Sequence, residues 1–368
     1  MRISPMSTIK VLHVIARMNV GGTARYVGEL VKGIPDNALA TGYVQGAEIE
    51  DAIVENIQIY RLEHMGRRIS PISDFKAWLE LGKLVKEINP QILHTHTFKA
   101  GLLGRLVGGD HKRVHTFHGH LFGDESFSGL ERRAITFFEK FLAARTDLLV
   151  SVGEKVGQEL REVGVGNKKK WISIPPGVNP LPLIEKREAR VILGLNQDQI
   201  LVGWMARMAE VKNPFLLLAV AKQLPSVNFV MAGGGKLFQD IVNAAPSNVL
   251  VIGWTEASTF WSAVDCAIST SDNEGMPVAL IEAQLSGVPA IATAVGSNSE
   301  VINNGATGLV VEKELEQLVR AVEKLVHTNT LRLEMGRSSR DWAEQQFSMT
   351  RMLHRHEAMY TTLLSERG

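Results

Sequence analysis

Residues 269–289 read Ser-Thr-Ser-Asp-Asn-Glu-Gly-Met-Pro-Val-Ala-Leu-Ile-Glu-Ala-Gln-Leu-Ser-Gly-Val-Pro, and the reading of this stretch governs the rest of the chain. The apolar run Cys266-Ala267-Ile268 before it is short, as a buried parallel strand would be. A polar loop follows, Ser271-Asp272-Asn273-Glu274-Gly275-Met276. Pro277 stands where a helix tolerates proline, in its first turn, and Gly287 with Pro289 stops the helix. Glu274 therefore falls in the loop and Glu282 about a turn and a half into the helix. Ala279, Ile281, Ala283 and Leu285 surround Glu282, so the helix is expected to be buried on most sides. A carboxylate in that setting needs hydrogen-bond donors to offset its desolvation.

One reading is that a ligand supplies those donors. Backbone N–H groups at the helix start suit phosphate, and the two glutamates suit hydroxyls. The plainer reading is a loop acid and a solvated helix acid. The strand–loop–proline–helix context favours the ligand. Glu274 and Glu282, with seven residues between them and Gly275 after the first, resemble the E-x7-E signature of the family-4 retaining glycosyltransferases. That resemblance implies the GT-B fold, an α/β architecture of two doubly wound, Rossmann-like parallel-sheet domains facing each other across a cleft.

At 368 residues the chain exceeds the size at which one core keeps growing, so two domains are expected. A charged fraction of 21% and an apolar fraction of 45% are those of an ordinary globular protein, not of a disordered or membrane-embedded chain. No run is long enough to span a bilayer, and Met1-Arg2-Ile3-Ser4-Pro5 leads into a strand without a signal-peptide apolar region. The single cysteine, Cys266, excludes an internal disulfide and reads as packing. A cytoplasmic enzyme working at the inner face of the membrane is the expectation. The net charge of +1 hides an asymmetry. Residues 1–180 carry 24 Lys+Arg against 19 Asp+Glu, and residues 181–368 carry 16 against 20. A basic first half suits an anionic acceptor or an anionic membrane surface.

The first half alternates strands and helices. Strands are expected at 10–16, 41–45, 57–61, 91–95, 112–117, 147–152 and 171–174, and helices at 23–33, 74–88, 98–107, 127–144 and 154–163. Such alternation builds a parallel sheet with ligands at the strands' C-terminal ends. Gly21 and Gly22 follow the first strand, where they let a ligand approach backbone beside a helix start, although no G-x-G-x-x-G fingerprint is present. Histidines gather at the strand ends: His94, His96, His115, His118 and His120. His94 and His96 share a face, a spacing that suits zinc, but no third ligand is evident from sequence. The segment 117–141 interleaves six phenylalanines with Arg132 and Arg133. A core-facing helix is the plainer account, and a helix lying on a membrane is the other. The resemblance further implies that Gly21 and Gly22 lie against the donor, that His118, in Phe117-His118-Gly119, sits by the transferred sugar and acceptor, and that His115 is structural.

Ile174-Pro175-Pro176-Gly177-Val178-Asn179-Pro180-Leu181-Pro182 marks a stiff linker and sets the domains at 1–180 and 181–348, with a last helix in 349–368 returning to the first domain, as the resembling fold implies. In the second half, strands are expected at 200–206, 227–233, 249–253, 265–270 and 307–312, with a helix at 294–303. Arg207 ends its strand, and Lys212 precedes a helix capped by Asn213 and opened by Pro214, a good diphosphate clamp. Gly233-Gly234-Gly235 ends a strand tightly with room for a nucleotide, and the resemblance places the base at Ile252-Gly253-Trp254-Thr255.

Carried onto this sequence, the resemblance implies a retaining transfer of a hexose or N-acetylhexosamine from a nucleotide diphosphate sugar, UDP above others, to a glycan or lipid-linked acceptor. Arg207, Lys212 and the helix start at Gly275, Met276, Pro277 and Val278 would hold the leaving diphosphate, Glu282 the ribose, and Glu274 and His118 the sugar. No cofactor beyond the sugar nucleotide and no metal is expected, because no Asp-x-Asp pair is present. Peripheral membrane contact is an expected partner surface and nucleic acid is not. Met276-Pro277-Val278 replaces the family's commoner aromatic-glycine continuation, which weakens transfer of donor identity. A sugar-nucleotide epimerase of the same fold and a non-catalytic sugar-binding protein are the alternatives; a nicotinamide dehydrogenase is disfavoured by the missing fingerprint.

Overall fold

The computed structural model describes residues 10–46, 48–66, 70–119 and 129–366; His120, Phe122 and Phe127 lie outside the described residues. The chain divides into two compact units, Met1–Gly177 with Thr350–Gly368, and Val178–Met349.

The first unit is built on β1 (Val11–Ile15), α1 (Gly22–Gly33), β2 (Asn37–Thr41), β3 (Ile59–Arg61), α2 (Pro71–Ile88), β4 (Ile92–His96), α3 (Phe98–Leu106), β5 (Lys112–Phe117), α4 (Gly129–Ala144), β6 (Leu148–Ser151), α5 (Glu154–Glu162) and β7 (Lys170–Ser173). Its seven strands are all parallel, in the order β3-β2-β1-β4-β5-β6-β7. Every residue of β1, β2 and β4 is buried, because helices cover both faces of such a sheet. One face sets Leu12, Val14 and Leu93 against Ala77, Leu81, Ala100 and Leu103 of α2 and α3. The register pairs His13 with His94 and His96 with Thr116, so the other face carries polar side chains at its centre.

The second unit comprises α6 (Lys186–Ile192), β8 (Leu201–Met205), α7 (Pro214–Gln223), β9 (Asn228–Ala232), α8 (Phe238–Ala244), β10 (Val249–Gly253), α9 (Ala257–Ala263), β11 (Cys266–Ser269), α10 (Val278–Leu285), β12 (Ala290–Thr293), α11 (Asn298–Val301), β13 (Gly308–Val311), α12 (Leu315–His327) and α13 (Asn329–Phe347). The last helix, α14 (Met349–Ser365), runs from this unit into the first. The strand order β10-β9-β8-β11-β12-β13 repeats the arrangement of the first sheet. Alternate residues feed two cores: Leu201, Val230 and Ala267 face Phe260, Trp261 and Ile281, while Val202, Phe229 and Cys266 face Leu217, Leu318 and Val322. Burial, with Asp265 next to it, pushes the Cys266 thiol up to about 12, so it packs and does not react.

Three local expectations are corrected. The strand expected at 41–45 is Asn37–Thr41, because register with β1 overrides the β-favouring Tyr43 and Val44. The strand ends before Gly42, where a Cβ would lie 1.8 Å from the Met65 carbonyl oxygen. The helix expected at 294–303 shrinks to Asn298–Val301, because Gly296 adopts φ +48° to pass the Glu274 carbonyl. Pro277 is the N-cap of α10 and not its first-turn residue, and its carbonyl accepts from Leu280 N–H at 3.0 Å.

Candidate active site

In a doubly wound sheet the loops after the two strands flanking the order reversal diverge and leave a crevice. In the second sheet those strands are β8 and β11. Arg207 and Lys212 follow β8, and Glu274 follows β11, so the fold brings together residues far apart in sequence. Lys212 Nζ donates to Glu274 Oε1 at 2.6 Å, and Ser271 Oγ donates to the same oxygen at 2.6 Å. Glu274 is buried, and the protein itself supplies donors to its carboxylate. Both donors end on Oε1, leaving Oε2 without a protein donor among the described residues. Arg207 is exposed and forms no ion pair among the described residues.

Neighbouring contacts fix this loop. Asn213 takes φ +43°, accepts from Leu216 N–H through its side chain at 3.2 Å, and donates from Nδ2 to Asp272 Oδ1 at 2.9 Å. Lys313 Nζ lies 3.1 Å from the same Asp272 oxygen. Thr270 Oγ1 donates to the Asn213 carbonyl at 2.9 Å and accepts from Trp204 Nε1 at 3.1 Å. Thr293 Oγ1 donates to the Ser271 carbonyl at 2.7 Å. A Cβ at Gly296 would lie 1.9 Å from the Glu274 carbonyl oxygen, so only glycine fits beneath the loop.

Gly275 and Met276 lead into Pro277, and α10 begins at Val278 with no side-chain cap and no acid in its first turn. Glu282 sits in its second turn and is buried, between the fully buried Ile281 and Ala283. The glycines at 233–235 serve the loop after β8: Cβ atoms at Gly233 and Gly235 would meet the carbonyls of Ala206 and Met208 at 2.0 and 2.4 Å. Gly253 ends β10 at φ +73°, and Trp254 beyond it is 74% exposed. A cavity of about 620 Å³ in this unit, lined by Ile200, Asp265, Arg332 and Arg340 among others, opens at the N-terminal strand ends. Asp265 there is held by Arg190 at 2.9 Å and Lys186 at 2.7 Å, which makes it structural.

In the first unit the reversal falls between β1 and β4. Gly21 is the N-cap of α1 at φ 154°, and it and Gly22 are exposed, with no side-chain cap and no acid in the first turn. Thr97, just after β4, holds φ +66°, a strained conformation for a β-branched residue. His118 follows β5 and is half-buried, with the Tyr26 ring edge-on at 4.9 Å.

Behind His118 lies a packed set of imidazoles that sequence showed only in part. His118 Nε2 is 3.0 Å from His96 Nδ1, His96 Nε2 is 3.0 Å from His13 Nδ1, and His13 Nε2 is 3.2 Å from Asn37 Nδ2. His94 bonds Tyr360 OH and Thr116 Oγ1, both at 2.7 Å. His356 Nε2 meets Tyr26 OH at 3.1 Å. Burial pushes His13 down to about 3 and His356 to about 4, and holds His94, His96 and His115 well below the usual imidazole range; neighbouring imidazoles lower His13, His94 and His96 further. His118 is lowered by the same causes but is nearest to water. His115 lies on the opposite face, bonded to Thr95 Oγ1 at 2.8 Å, and is structural. His13 supplies the third imidazole beside His94 and His96 that a zinc site would need, yet both nitrogens of each ring are taken by hydrogen bonds.

Two doubly wound parallel-sheet units, each with polar side chains at its order reversal, are the architecture of the GT-B fold. Consistent with this, the model for glycosyltransferase family 4 matches residues 20–180 and that for group 1 glycosyl transferases matches residues 185–342. The chain belongs to the family-4 glycosyltransferases and is an enzyme of that kind. It is 25% identical to the Escherichia coli UDP-Gal:alpha-D-GlcNAc-diphosphoundecaprenol alpha-1,3-galactosyltransferase, covering 98% of this chain and 99% of that one. It is 24% identical to the capsular polysaccharide biosynthesis glycosyltransferase CapM of Staphylococcus aureus, over 82% of this chain and 84% of the relative. Among solved structures, sucrose-phosphate synthase from Thermosynechococcus elongatus has a similar fold (TM-score 0.82, 18% identity, 97% of this chain and 100% of that one). So does HepE of Anabaena in complex with UDP and glucose (TM-score 0.81, 17% identity, 96% and 100%).

Proposed function

We propose that this enzyme transfers a hexose or N-acetylhexosamine from a UDP-sugar to a hydroxyl of a lipid-linked or polysaccharide acceptor, with retention at the anomeric carbon. The observation that carries the site is the Lys212–Glu274–Ser271 cluster at the β8/β11 reversal. Its two donors on Oε1 hold Glu274 still, and Oε2 accepts from sugar hydroxyls. Lys212 has further N–H groups for phosphate, and Arg207 and the uncapped N-terminus of α10 complete the positive surface that meets the leaving diphosphate. Glu282 holds the ribose diol, Gly253 borders the base, and Gly21, Gly22 and His118 form the sugar and acceptor side. Support for UDP and a lipid-linked acceptor is the name of the Escherichia coli relative, which spans nearly the whole chain.

No acid is assigned as a nucleophile. Double displacement needs a mobile carboxylate at the anomeric carbon, and Glu274 is held on one oxygen by two donors. Same-face attack follows, in which the acceptor oxygen bonds to the anomeric carbon as the phosphate leaves and takes the acceptor's proton. No divalent metal is required: Asp272 and Glu274 are each engaged by a lysine, Lys313 and Lys212. Transfer assayed with EDTA, and the product anomer read by NMR, test this; loss of activity in EDTA or an inverted product refutes the respective half. Incubation with UDP-sugar alone tests against epimerisation, which needs no acceptor.

Peripheral membrane contact is the remaining part. Helix α4 turns Ile135, Glu139 and Leu142 inward and leaves Phe137, Phe138 and Phe141 exposed at 69%, 46% and 43%. The core-facing reading of this helix therefore covers one side, and the aromatic side with Arg133, Lys140 and Arg145 suits an anionic bilayer holding a lipid-linked acceptor. Vesicle sedimentation with Phe137→Ser/Phe141→Ser is the test, and unchanged binding sinks it.

A further inference from the structure

The imidazoles behind His118 form a chain of hydrogen bonds, and its far end carries an amide whose sense is set by the Leu30 carbonyl. We propose that Asn37 acts as a positioning residue: through His13 and His96 it fixes which nitrogen of His118 carries the proton, making His118 a hydrogen-bond donor through Nδ1.

The links are Asn37 Nδ2 to His13 Nε2 at 3.2 Å, His13 Nδ1 to His96 Nε2 at 3.0 Å, and His96 Nδ1 to His118 Nε2 at 3.0 Å. A neutral imidazole has one N–H and one lone pair, so the direction at one link sets the direction at all of them. The amide of Asn37 supplies that direction. Its Nδ2 also reaches the Leu30 carbonyl at 3.5 Å, while its buried Oδ1 has no partner. Rotating the amide by half a turn would set Oδ1 against the Leu30 oxygen, two acceptors face to face, and would strand the N–H groups instead. Nδ2 therefore donates to His13 Nε2. His13 then donates from Nδ1 to His96 Nε2, His96 donates from Nδ1 to His118 Nε2, and His118 keeps its proton on Nδ1.

The environment keeps the chain neutral. His13, His96 and Asn37 are buried, and a second proton on either inner ring would aim N–H at N–H. His94, Tyr26, His356 and Tyr360 close the surroundings, and no carboxylate touches the chain among the described residues. A metal shared by His13, His94 and His96 would consume the lone pairs on which these bonds depend.

The consequence for transfer, which rests on placing His118 at the sugar, is that His118 donates to a sugar or acceptor oxygen and does not act as the base. The tautomer itself is read without ligand or activity, so it stands or falls separately from that placement. Full-length protein labelled with 15N-histidine, in long-range 1H–15N correlation spectra assigned by single His→Gln variants, should show His13, His96 and His118 neutral, each protonated on Nδ1. Asn37→Asp sets an acceptor against His13 Nε2 and should reverse all three rings to protonation on Nε2. Wild-type His118 protonated on Nε2 overturns the proposal even if Asn37→Asp does not fold. So does a folded Asn37→Asp with unchanged tautomers, or stoichiometric zinc in the purified protein.

Discussion

Lowering the pH from 7 to 5 should destabilise the first unit while leaving most carboxylates untouched. His13, His94, His96, His115 and His356 are all at most 1% exposed, and burial lowers each of them. A histidine depressed in the folded state binds its proton mainly in the unfolded chain. Its contribution is therefore fully present above the unfolded value near 6.5 and is lost as pH falls from there towards the folded value, about 3 for His13 and about 4 for His356. At pH 5 the loss is about 2 kcal/mol each for His13 and His356. Together they cost on the order of 4 kcal/mol, a large share of the ~5–15 kcal/mol stability of a whole domain, and His94, His96 and His115 act in the same direction. The melting temperature should fall by at least about 8 °C between pH 7 and pH 5, taking ~2 °C per kcal/mol for a unit of this size. Circular dichroism melts in matched ionic strength read it directly. A melting temperature flat to within about 3 °C over that interval would show that these imidazoles reach water or partners in the folded state, and the reasoning would fail.

Arg207→Ala should lower kcat/KM by on the order of 10²-fold with little change in melting temperature, since the side chain is exposed; steady-state kinetics with a UDP-sugar donor decide it. Gly296→Ala should cost activity and about 1–3 kcal/mol together, because its Cβ needs the space 1.9 Å from the Glu274 carbonyl; a variant with wild-type kinetics and urea midpoint refutes the contact. Arg105 and Glu139, both 0% exposed in their side chains and joined by two 2.8 Å bonds, give a third test. Glu139→Leu should cost about 3–5 kcal/mol by leaving a buried charge, and adding Arg105→Met should recover much of it; a double variant no better than the single contradicts this.

The site was legible in proportion to how local its chemistry is. Asn213 with Pro214 reads as a helix start from two adjacent residues and is one in the structure, with the Asn213 side chain accepting from Leu216 N–H. Glu274 and Glu282 are proposed from their spacing, which is likewise a local signal. Ser271, which bonds Glu274 three residues on, was in plain view, but a serine in a polar loop has no distinguishing signal. The pairing of Lys212 with Glu274 joins residues 62 positions apart and follows only once β8 and β11 are known to be neighbours. His13 was invisible for the same reason: it lies 83 positions from His96, inside a run that reads as an ordinary apolar strand. Strand 41–45 failed differently, since propensity chose the residues most suited to a strand and register chose their neighbours.

The helix α14 contributes His356 and Tyr360 to the first unit, where Tyr360 OH holds His94 and His356 holds Tyr26. During synthesis, the first 177 residues emerge well before those partners exist. At ~5–20 residues per second, the interval until α14 follows is on the order of 10–40 s. Through that time the histidine face of the nascent sheet lacks its cover, and His94 and Tyr26 can take up water and protons. The second unit, by contrast, is contiguous and can close its core as soon as α13 is out. The later-made half of the molecule is thus free to finish first. A stop placed before α14 should yield a folded second unit beside a first unit that binds hydrophobic dye and chaperones, a vulnerability set by the order in which the chain is made.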